Sequence, residues 1–314
     1  MSQNLHVVVG SGPIGSAVVR QLVSEGQRVR VVTRSGSGLQ HRLVEKVTAD
    51  AADAGRMSSL AEGAAVLYNC VNPDYTRWAT DWPPVAASLL AAAESSGAVL
   101  STCSNLYAYG PVSRPMTEDL PLAATGTKGK VRARMWLDAL AAHVAGRARV
   151  TEARGSDYIG PEAESHLGPR IMPKVIAGKK VSVLGSPDKQ HTWTYTEDMA
   201  ATLIAIGSDE RAWGRAWHVP SALTCTQREG LTRVAELAGA PAVRVGTVSP
   251  LMIRALGLVV PIMRELPEVA YQVEETFVLD STAAQRELGL RPTAADLVLQ
   301  AHADYYAAQA RTAS

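Results

Sequence analysis

The residues best suited to chemistry lie at the start of the chain. Gly10-Ser11-Gly12-Pro13-Ile14-Gly15 is a G-x-G-x-x-G run, preceded by the β-branched segment Leu5 to Val9 and followed by Val18, Val19 and Leu22 at helical spacing. The glycines therefore fall at a strand-to-helix turn. In such a turn Gly10 permits the sharp reversal, Gly12 lets the main chain approach a pyrophosphate, and Gly15 lets the helix pack on the strand. Free N–H groups and the positive dipole end of the helix then hold the anion. Pro13 and Ile14 open the helix, where a missing N–H costs little. An empty structural turn is the competing reading, and the context of strand before and helix after favours dinucleotide binding.

A second strand, Val29 to Thr33, follows at the βαβ distance and runs into Arg34 and Ser35, with no carboxylate before Glu45. An acidic residue at this strand end accepts from ribose hydroxyls, whereas a basic one meets a 2′-phosphate. Arg34 thus argues for NADP(H) over NAD(H), against the plain alternative of a solvated arginine. Asp50, beyond the strand Val44 to Thr48, either caps the next helix or meets adenine. Asn72 ends the apolar run Ala64 to Val71, and Ser104-Asn105-Leu106-Tyr107-Ala108-Tyr109-Gly110 follows the strand Ala98 to Cys103. Sites of parallel sheets lie beyond the carboxyl ends of their strands, which places these residues at the crevice.

The elements that must position them alternate. Strands near residues 5, 29, 44, 66 and 98 have helices between them, including an alanine-rich one from Pro83 to Ser95. The fold class expected is α/β, a doubly wound parallel Rossmann sheet with a smaller C-terminal substrate-binding domain. A helix from Lys128 to Ala145 carries Lys128, Lys130, Arg132 and Arg134 at alternate positions. That spacing spreads them around the helix, so most are expected in solvent. A sixth strand runs from Arg149 to Ala153. Residues 1–160 form the expected dinucleotide-binding domain, with 191–220 returning to it, while 161–190 and 221–314 supply the substrate domain. In that second part, Thr226 and Glu229 have the spacing of a capping box, residues 249–275 read as helical, and Asp296 to Ala310 as a closing helix.

Bulk properties narrow the class of partner. The chain has 314 residues, 46% hydrophobic and 19% charged, with a formal net charge of +1. That balance gives no electrostatic reason to expect nucleic acid or an anionic membrane. No opening segment resembles a signal peptide and no apolar run reaches spanning length; the longest, Ile253 to Met263, contains Arg254 and Pro261. Cys70, Cys103 and Cys225 are widely spaced, as suits structural thiols in a cytoplasmic protein. No metal-ligand spacing and no G-x-S-x-G elbow is present.

Taken in order, GSGPIGSA at Gly10, the Asp50 strand end, NCVNP at Asn69, SNLYAYGP at Ser104, RGSDYIGP at Arg154, LGSPDKQHTWTYTEDMA at Leu184 and FVLDSTAAQRELGLRPT at Phe277 resemble extended or atypical short-chain dehydrogenase/reductases of the NAD-dependent epimerase/dehydratase group. The resemblance covers nearly the whole chain. It implies a nicotinamide cofactor, a small-molecule substrate and a homodimer formed through the helices Pro83–Ser95 and Lys128–Ala145. It further implies a Tyr-x-x-x-Lys pair on the helix after the fifth strand and a Ser or Thr at that strand's end. The tyrosine moves the proton and the lysine lowers its pKa.

This sequence departs from that pattern. Lys130 stands where the resemblance puts the lysine, yet four residues earlier lies Gly126, and Lys128 taken instead gives Ala124. Asn105 occupies the hydroxyl position, with Ser104 before it. Another phenol, Tyr107, Tyr109, Tyr158 or Tyr195, could serve as donor. Alternatively Lys130 holds the ribose while Asn105 polarises the substrate oxygen, or the hydride goes to a centre needing little acid help. Catalytic candidates are therefore Lys130, Asn105, Tyr107 and Tyr158. Asn72, Tyr109, His166, Met172, Trp193 and Tyr195 are expected to line the substrate pocket. His166 is either an acid or a surface histidine. The activity expected is NADP(H)-dependent hydride transfer to a small or medium, largely apolar carbonyl, imine or enone. A sugar-nucleotide epimerase or dehydratase is the first alternative; a redox-silent sensor, lyase or cyclase is the second.

Overall fold

The computed structural model describes residues 4–248, 260 and 262–312. Its centre is a parallel sheet built from β1 (Leu5–Val9), β2 (Arg28–Thr33), β3 (Val44–Thr48), β4 (Ala64–Asn69), β5 (Val99–Asn105), β6 (Arg149–Gly155) and β10 (Ala216–His218). Their spatial order is β10-β6-β5-β4-β1-β2-β3. Val7, Val8 and Val9 are all buried, because helices cover both faces and a central strand of such a sheet has no solvent side. At the edge, β3 reads Val-Glu-Lys-Val-Thr with Glu45 and Lys46 exposed, the charged edge that discourages pairing with another chain.

On one face α1 (Pro13–Ser24) packs with α6 (Thr196–Ser208) around Val18, Val31, Leu203 and Trp217. On the other, α2 (Ala54–Ala61), α3 (Trp78–Ser96) and α4 (Thr127–Val144) enclose Met57, Trp82, Leu89 and Trp136. Helix α3 begins at Trp78 rather than Pro83 and carries Pro83 and Pro84 inside it. The strand order reverses between β1 and β4, and at this switch point connections leave in opposite directions and open a crevice.

Beyond β6 come β7 (Asp157–Ile159), α5 (Met172–Ile176), β8 (Val181–Val183) and β9 (His191–Tyr195), then, after α6 and β10, β11 (Leu223–Cys225), α7 (Gln227–Leu237) and β12 (Val245–Thr247). Strands β11, β9 and β7 form a three-stranded sheet, and β12 pairs with β8. The last helices are α8 (Ile262–Glu265), α9 (Tyr271–Glu274), α10 (Thr282–Leu288) and α11 (Ala295–Thr312). Residues 249–259 and 261, part of the stretch expected to be helical, lie outside the described residues. Met172, Trp193, Leu231 and Tyr306 share a separate core. Thr226 and Glu229 make both bonds of a capping box at the start of α7, satisfying two otherwise orphaned donors.

Candidate active site

The glycine turn separates three steric roles cleanly. Gly10 has φ +100°, and a Cβ there would lie 2.5 Å from the Cys70 carbonyl oxygen, so only glycine lets β1 turn beside β4. A Cβ on Gly15 would come within 2.0 Å of the Gly10 carbonyl oxygen. A Cβ on Gly12 would meet nothing within 4 Å: its open side faces the cleft. Gly12 is also the N-cap of α1, with Pro13 at the helix start.

This cleft encloses about 610 Å³ over the carboxyl ends of β1, β4, β5 and β6. Gly12, Pro13 and Ile14 form one wall, and Asn72, Tyr75 and Trp78 another. Ser104, Asn105, Tyr107, Arg132, Asp157 and Tyr158 complete it, with Glu162, Glu164, Gln272 and Phe277 on the side of the C-terminal elements. Next to the glycine turn, Ser37 Oγ lies 2.9 Å from Ser11 Oγ, and Ser35 Oγ donates to Ser37 Oγ at 2.9 Å. The loop after β2 is thereby held against the glycine turn. Arg34, in that loop, is exposed. Asp50 is exposed too; its carboxylate accepts from Ala52 N at 3.0 Å, while Asp53 caps α2. None of Arg34, Ser35 and Asp50 lines the cleft.

The phenols are raised by burial, and one of them is already donating. Tyr158 donates its hydroxyl to the Ser104 carbonyl oxygen at 2.7 Å, and burial pushes its pKa well above the ordinary tyrosine value. Tyr107 accepts from the Tyr75 hydroxyl at 3.3 Å and is likewise raised by burial. Asn105 Oδ1 accepts from Tyr107 N at 3.1 Å, an Asx turn that fixes the chain where β5 ends. Burial also pushes the Cys103 thiol up to about 11, leaving it an inert neighbour of Tyr158 at 3.7 Å.

Helix α4 corrects the reading of its basic residues. Lys130 is exposed and lines a different cavity, of about 560 Å³, between α3 and α4. Lys128 and Arg132 are the buried ones. Two residues advance an α-helix by about 200°, so Lys130 stands on the opposite side from both neighbours. Arg132 lines the cleft at the glycine turn; its guanidinium carbon lies 4.7 Å from the Trp78 ring and 4.4 Å from the Trp82 ring. Its Nε has no hydrogen-bond partner, and NH1 reaches the Cys103 carbonyl oxygen at 3.4 Å. Lys128 pairs with Glu265 of α8 and with Glu268 at 3.6 Å, above the Tyr75 ring at 4.6 Å. The expectation that most of these cations are solvated therefore fails for two of four. The Lys128-x-x-x-Arg132 spacing was the available signal, since it repeats the interval of the resembled Tyr-x-x-x-Lys pair.

Five residues expected in the substrate pocket do not line it. Tyr109 is buried and bonds Arg154 NH1 and His218 Nε2, each at 2.8 Å, in a structural network with Glu152. Met172 is in the second core, and Trp193 donates to the Cys225 carbonyl oxygen at 3.2 Å. Tyr195 packs against the same core, at the N-cap of α6. His166 lies just behind the cleft wall with Nε2 3.6 Å from Asp157 Oδ2. Asp157 was not singled out from sequence, because one carboxylate in a loop carries no signal until its histidines converge.

A glycine turn at the switch point of a parallel sheet, with an open face at Gly12 and an unpartnered buried Arg132 Nε, fits a dinucleotide and defines a Rossmann-type binding protein. The chain belongs to the NAD dependent epimerase/dehydratase family, whose model matches residues 6–218; its members are epimerases and dehydratases. Similar solved structures include dTDP-glucose 4,6-dehydratase from Bacillus anthracis str. Ames in complex with NAD, at 17% identity and TM-score 0.79 over 97% of this chain and 96% of that one. UDP-glucose 4-epimerase from Thermotoga maritima with UDP-glucose is 17% identical, with TM-score 0.78 over 98% and 99%. An epimerase from Methanothermobacter thermautotrophicus is 16% identical, with TM-score 0.80 over 99% and 95%. None of the curated proteins compared with the chain matches it. Among the described residues no helix is long and apolar enough to cross a membrane.

Proposed function

We propose that this chain is an NADP(H)-dependent oxidoreductase that passes hydride between the nicotinamide and a small or medium, largely apolar carbonyl, imine or enone. The observation that carries the reading is the cleft itself. Its phosphate end is bare main chain at Gly12, and its far end is lined by Tyr75, Trp78, Tyr107, Tyr158 and Phe277. These aromatic walls suit an apolar part of the substrate, and Asn105, Arg132, Asp157, Glu162, Glu164 and Gln272 supply polar groups beside them. The exposed Arg34 beside the Ser35–Ser37 loop supports the 2′-phosphate. Gly10, Gly12, Pro13, Ile14, Gly15, Arg34 and Asn72 are the cofactor-binding set. Arg132 replaces Lys130 beside the nicotinamide ribose, because it is the basic side chain of α4 in the cleft.

A homodimer through α3 and α4 accompanies this reading. Leu137 on α4 is 50% exposed and Val144 is 79% exposed, apolar surface that a second copy would cover. A cytoplasmic site is consistent with three free cysteines.

The titles of the solved relatives support a second reading, a sugar-nucleotide epimerase or dehydratase. Against it, α4 presents Lys128 and Arg132 to the interior and no tyrosine. The test follows NADPH oxidation with a panel of ketones, cyclic imines and enones, with UDP-glucose and dTDP-glucose as alternative substrates. Oxidation by at least one carbonyl, imine or enone, with both sugar nucleotides untouched, is expected. Conversion of a sugar nucleotide at constant NADPH would replace this reading with the second. Bound nucleotide without any turnover would leave a sensor, lyase or cyclase.

A further inference from the structure

With the tyrosine of the resembled pair absent, Tyr158 donating to a main-chain carbonyl and Tyr107 raised by burial, the cleft still contains a carboxylate with two imidazoles against it. Asp157, the first residue of β7 and two residues past β6, lines it. Two imidazoles converge on its Oδ2 from behind: His191 Nε2 at 3.2 Å and His166 Nε2 at 3.6 Å. The proton inventory follows from the far side of His191. Its Nδ1 lies 2.9 Å from the Gln272 carbonyl oxygen, and a carbonyl only accepts, so Nδ1 carries a hydrogen. The remaining nitrogen then faces a carboxylate oxygen. Nε2 faces both Ser156 Oγ at 3.4 Å and Asp157 Oδ2, a buried oxygen with no hydrogen-bond partner, so a proton arriving on either side of the His191–Asp157 contact has an acceptor across from it.

We propose that Asp157 is the catalytic acid–base of this cleft, with His191 as the positioning residue against its Oδ2 and His166 as the path to water. The inference rests on the hydride-transfer reading above. In reduction, a hydride from the reduced nicotinamide adds to the carbonyl carbon while the C=O π pair moves to oxygen. That oxygen takes a proton relayed through Asp157. His166, 22% exposed at its side chain, restores the proton from solvent. Oxidation runs the same path backwards, and the only redox change is between substrate and nicotinamide.

The surroundings suit the role. Ser156 Oγ, 3.4 Å from His191 Nε2, is the second polar group at that nitrogen. Facing the carboxylate are Tyr75, Tyr107 and Tyr271, whose hydroxyls burial raises first and the Asp157 charge raises further. Glu268 adds to the field at Tyr75 and Tyr271, and Arg170 to that at His166. Burial pushes the Asp157 carboxyl up, but His166 and then His191 outweigh it and hold it below the ordinary value, so Asp157 rests ionised and relays a proton rather than storing one. Glu162, on the same cleft wall, has φ +61°, a rare conformation for a side chain other than glycine.

The test uses the full chain with NADPH, the carbonyl panel, and ring-nitrogen NMR of His166 and His191 against pH. Asp157→Asn is expected to move the protonation of the His166 ring down by about one pH unit or more. It is also expected to cut kcat by about 100-fold or more while KM changes little. His191→Gln should shift the pH profile of kcat and reduce its height less. An unmoved His166 titration in Asp157→Asn, or turnover within twofold of wild type, would overturn the proposal. Should Asp157→Asn fail to fold, His166→Gln replaces it: the His191 titration must shift and kcat must gain sensitivity to buffer concentration. Absence of both would refute the relay. If the wild type oxidises NADPH with no probe, the hydride reading fails, and the ring titrations alone decide whether the relay exists.

Discussion

Lys128 and Arg132 stand one turn apart on the buried side of α4, two cations at the interval where the resembled family places a tyrosine and a lysine. Each is stabilised by a different device. Lys128 takes the carboxylates of Glu265 and Glu268, while Arg132 lies between two indole rings. A guanidinium is planar and weakly hydrated, which lets it stack where an ammonium would not. The arrangement couples the C-terminal segment to the N-terminus of α4, where Glu268 also accepts from Lys128 N.

Arg132 therefore has no conservative replacement. Arg132→Lys is expected to lower stability by about 2 kcal/mol through lost stacking, and to weaken dinucleotide binding as well. Lys130→Ala, on the other side of the helix, should change neither. Thermal melts and nucleotide titrations of both variants check this; equal loss of nucleotide affinity in the two would return Lys130 to the cleft.

The glycine turn separates folding from binding. Gly15→Ala forces a Cβ against the Gly10 carbonyl and should cost about 1–3 kcal/mol. Gly12→Ala has free space around its new Cβ, so its melting temperature should stay near wild type while dinucleotide affinity falls. A Gly12→Ala protein that melts early but binds normally would invert the assigned roles.

Arg34→Ala should weaken NADPH by about tenfold or more, as expected for the loss of a charge-assisted phosphate contact, and leave NADH nearly unchanged. Added salt should weaken NADPH more than NADH in the wild type, since the contact is exposed. Parallel losses for both nucleotides would remove Arg34 from the 2′-phosphate.

Acid should unfold the protein through its buried histidines. Burial lowers the His6 pKa from 6.5 to about 4, and burial is also the first cause of the lowered values at His166, His218 and His302. Between the two values the unfolded chain binds the extra proton. Stability is then complete above pH 6.5 and falls as the pH drops toward 4, by about 3 kcal/mol for His6 alone. Melting temperatures from pH 7 to 4 should decline, and His6→Gln should flatten the slope. A flat wild-type profile would contradict the burial argument.

The central sheet was legible because Val7 to Val9, Val29 to Val32 and the run before Asn72 are short, apolar and ended by turns. Those are local signals, and the covered faces of a parallel sheet reinforce them. The face of α4 was not legible. Lys128 and Arg132 look solvated in sequence, and their burial depends on Trp78 and Trp82 from α3 and on Glu265 and Glu268 from a distant segment. Met172 and Trp193 illustrate the same limit: an apolar side chain has one sequence signature in a pocket and in a core. Tyr109 needed Arg154 and His218, brought together by β6 and β10, before its hydroxyl could be assigned to packing. Asp157 became visible only once β9 carried His191 to it.

The account depends most on the cleft holding a nicotinamide dinucleotide with a 2′-phosphate. Fluorescence titration of the wild type with NADPH and with NADH tests that directly. Saturable binding of both, with NADPH about tenfold or more tighter, is the predicted result. Failure to bind either nucleotide, or a clear preference for NADH, would contradict it.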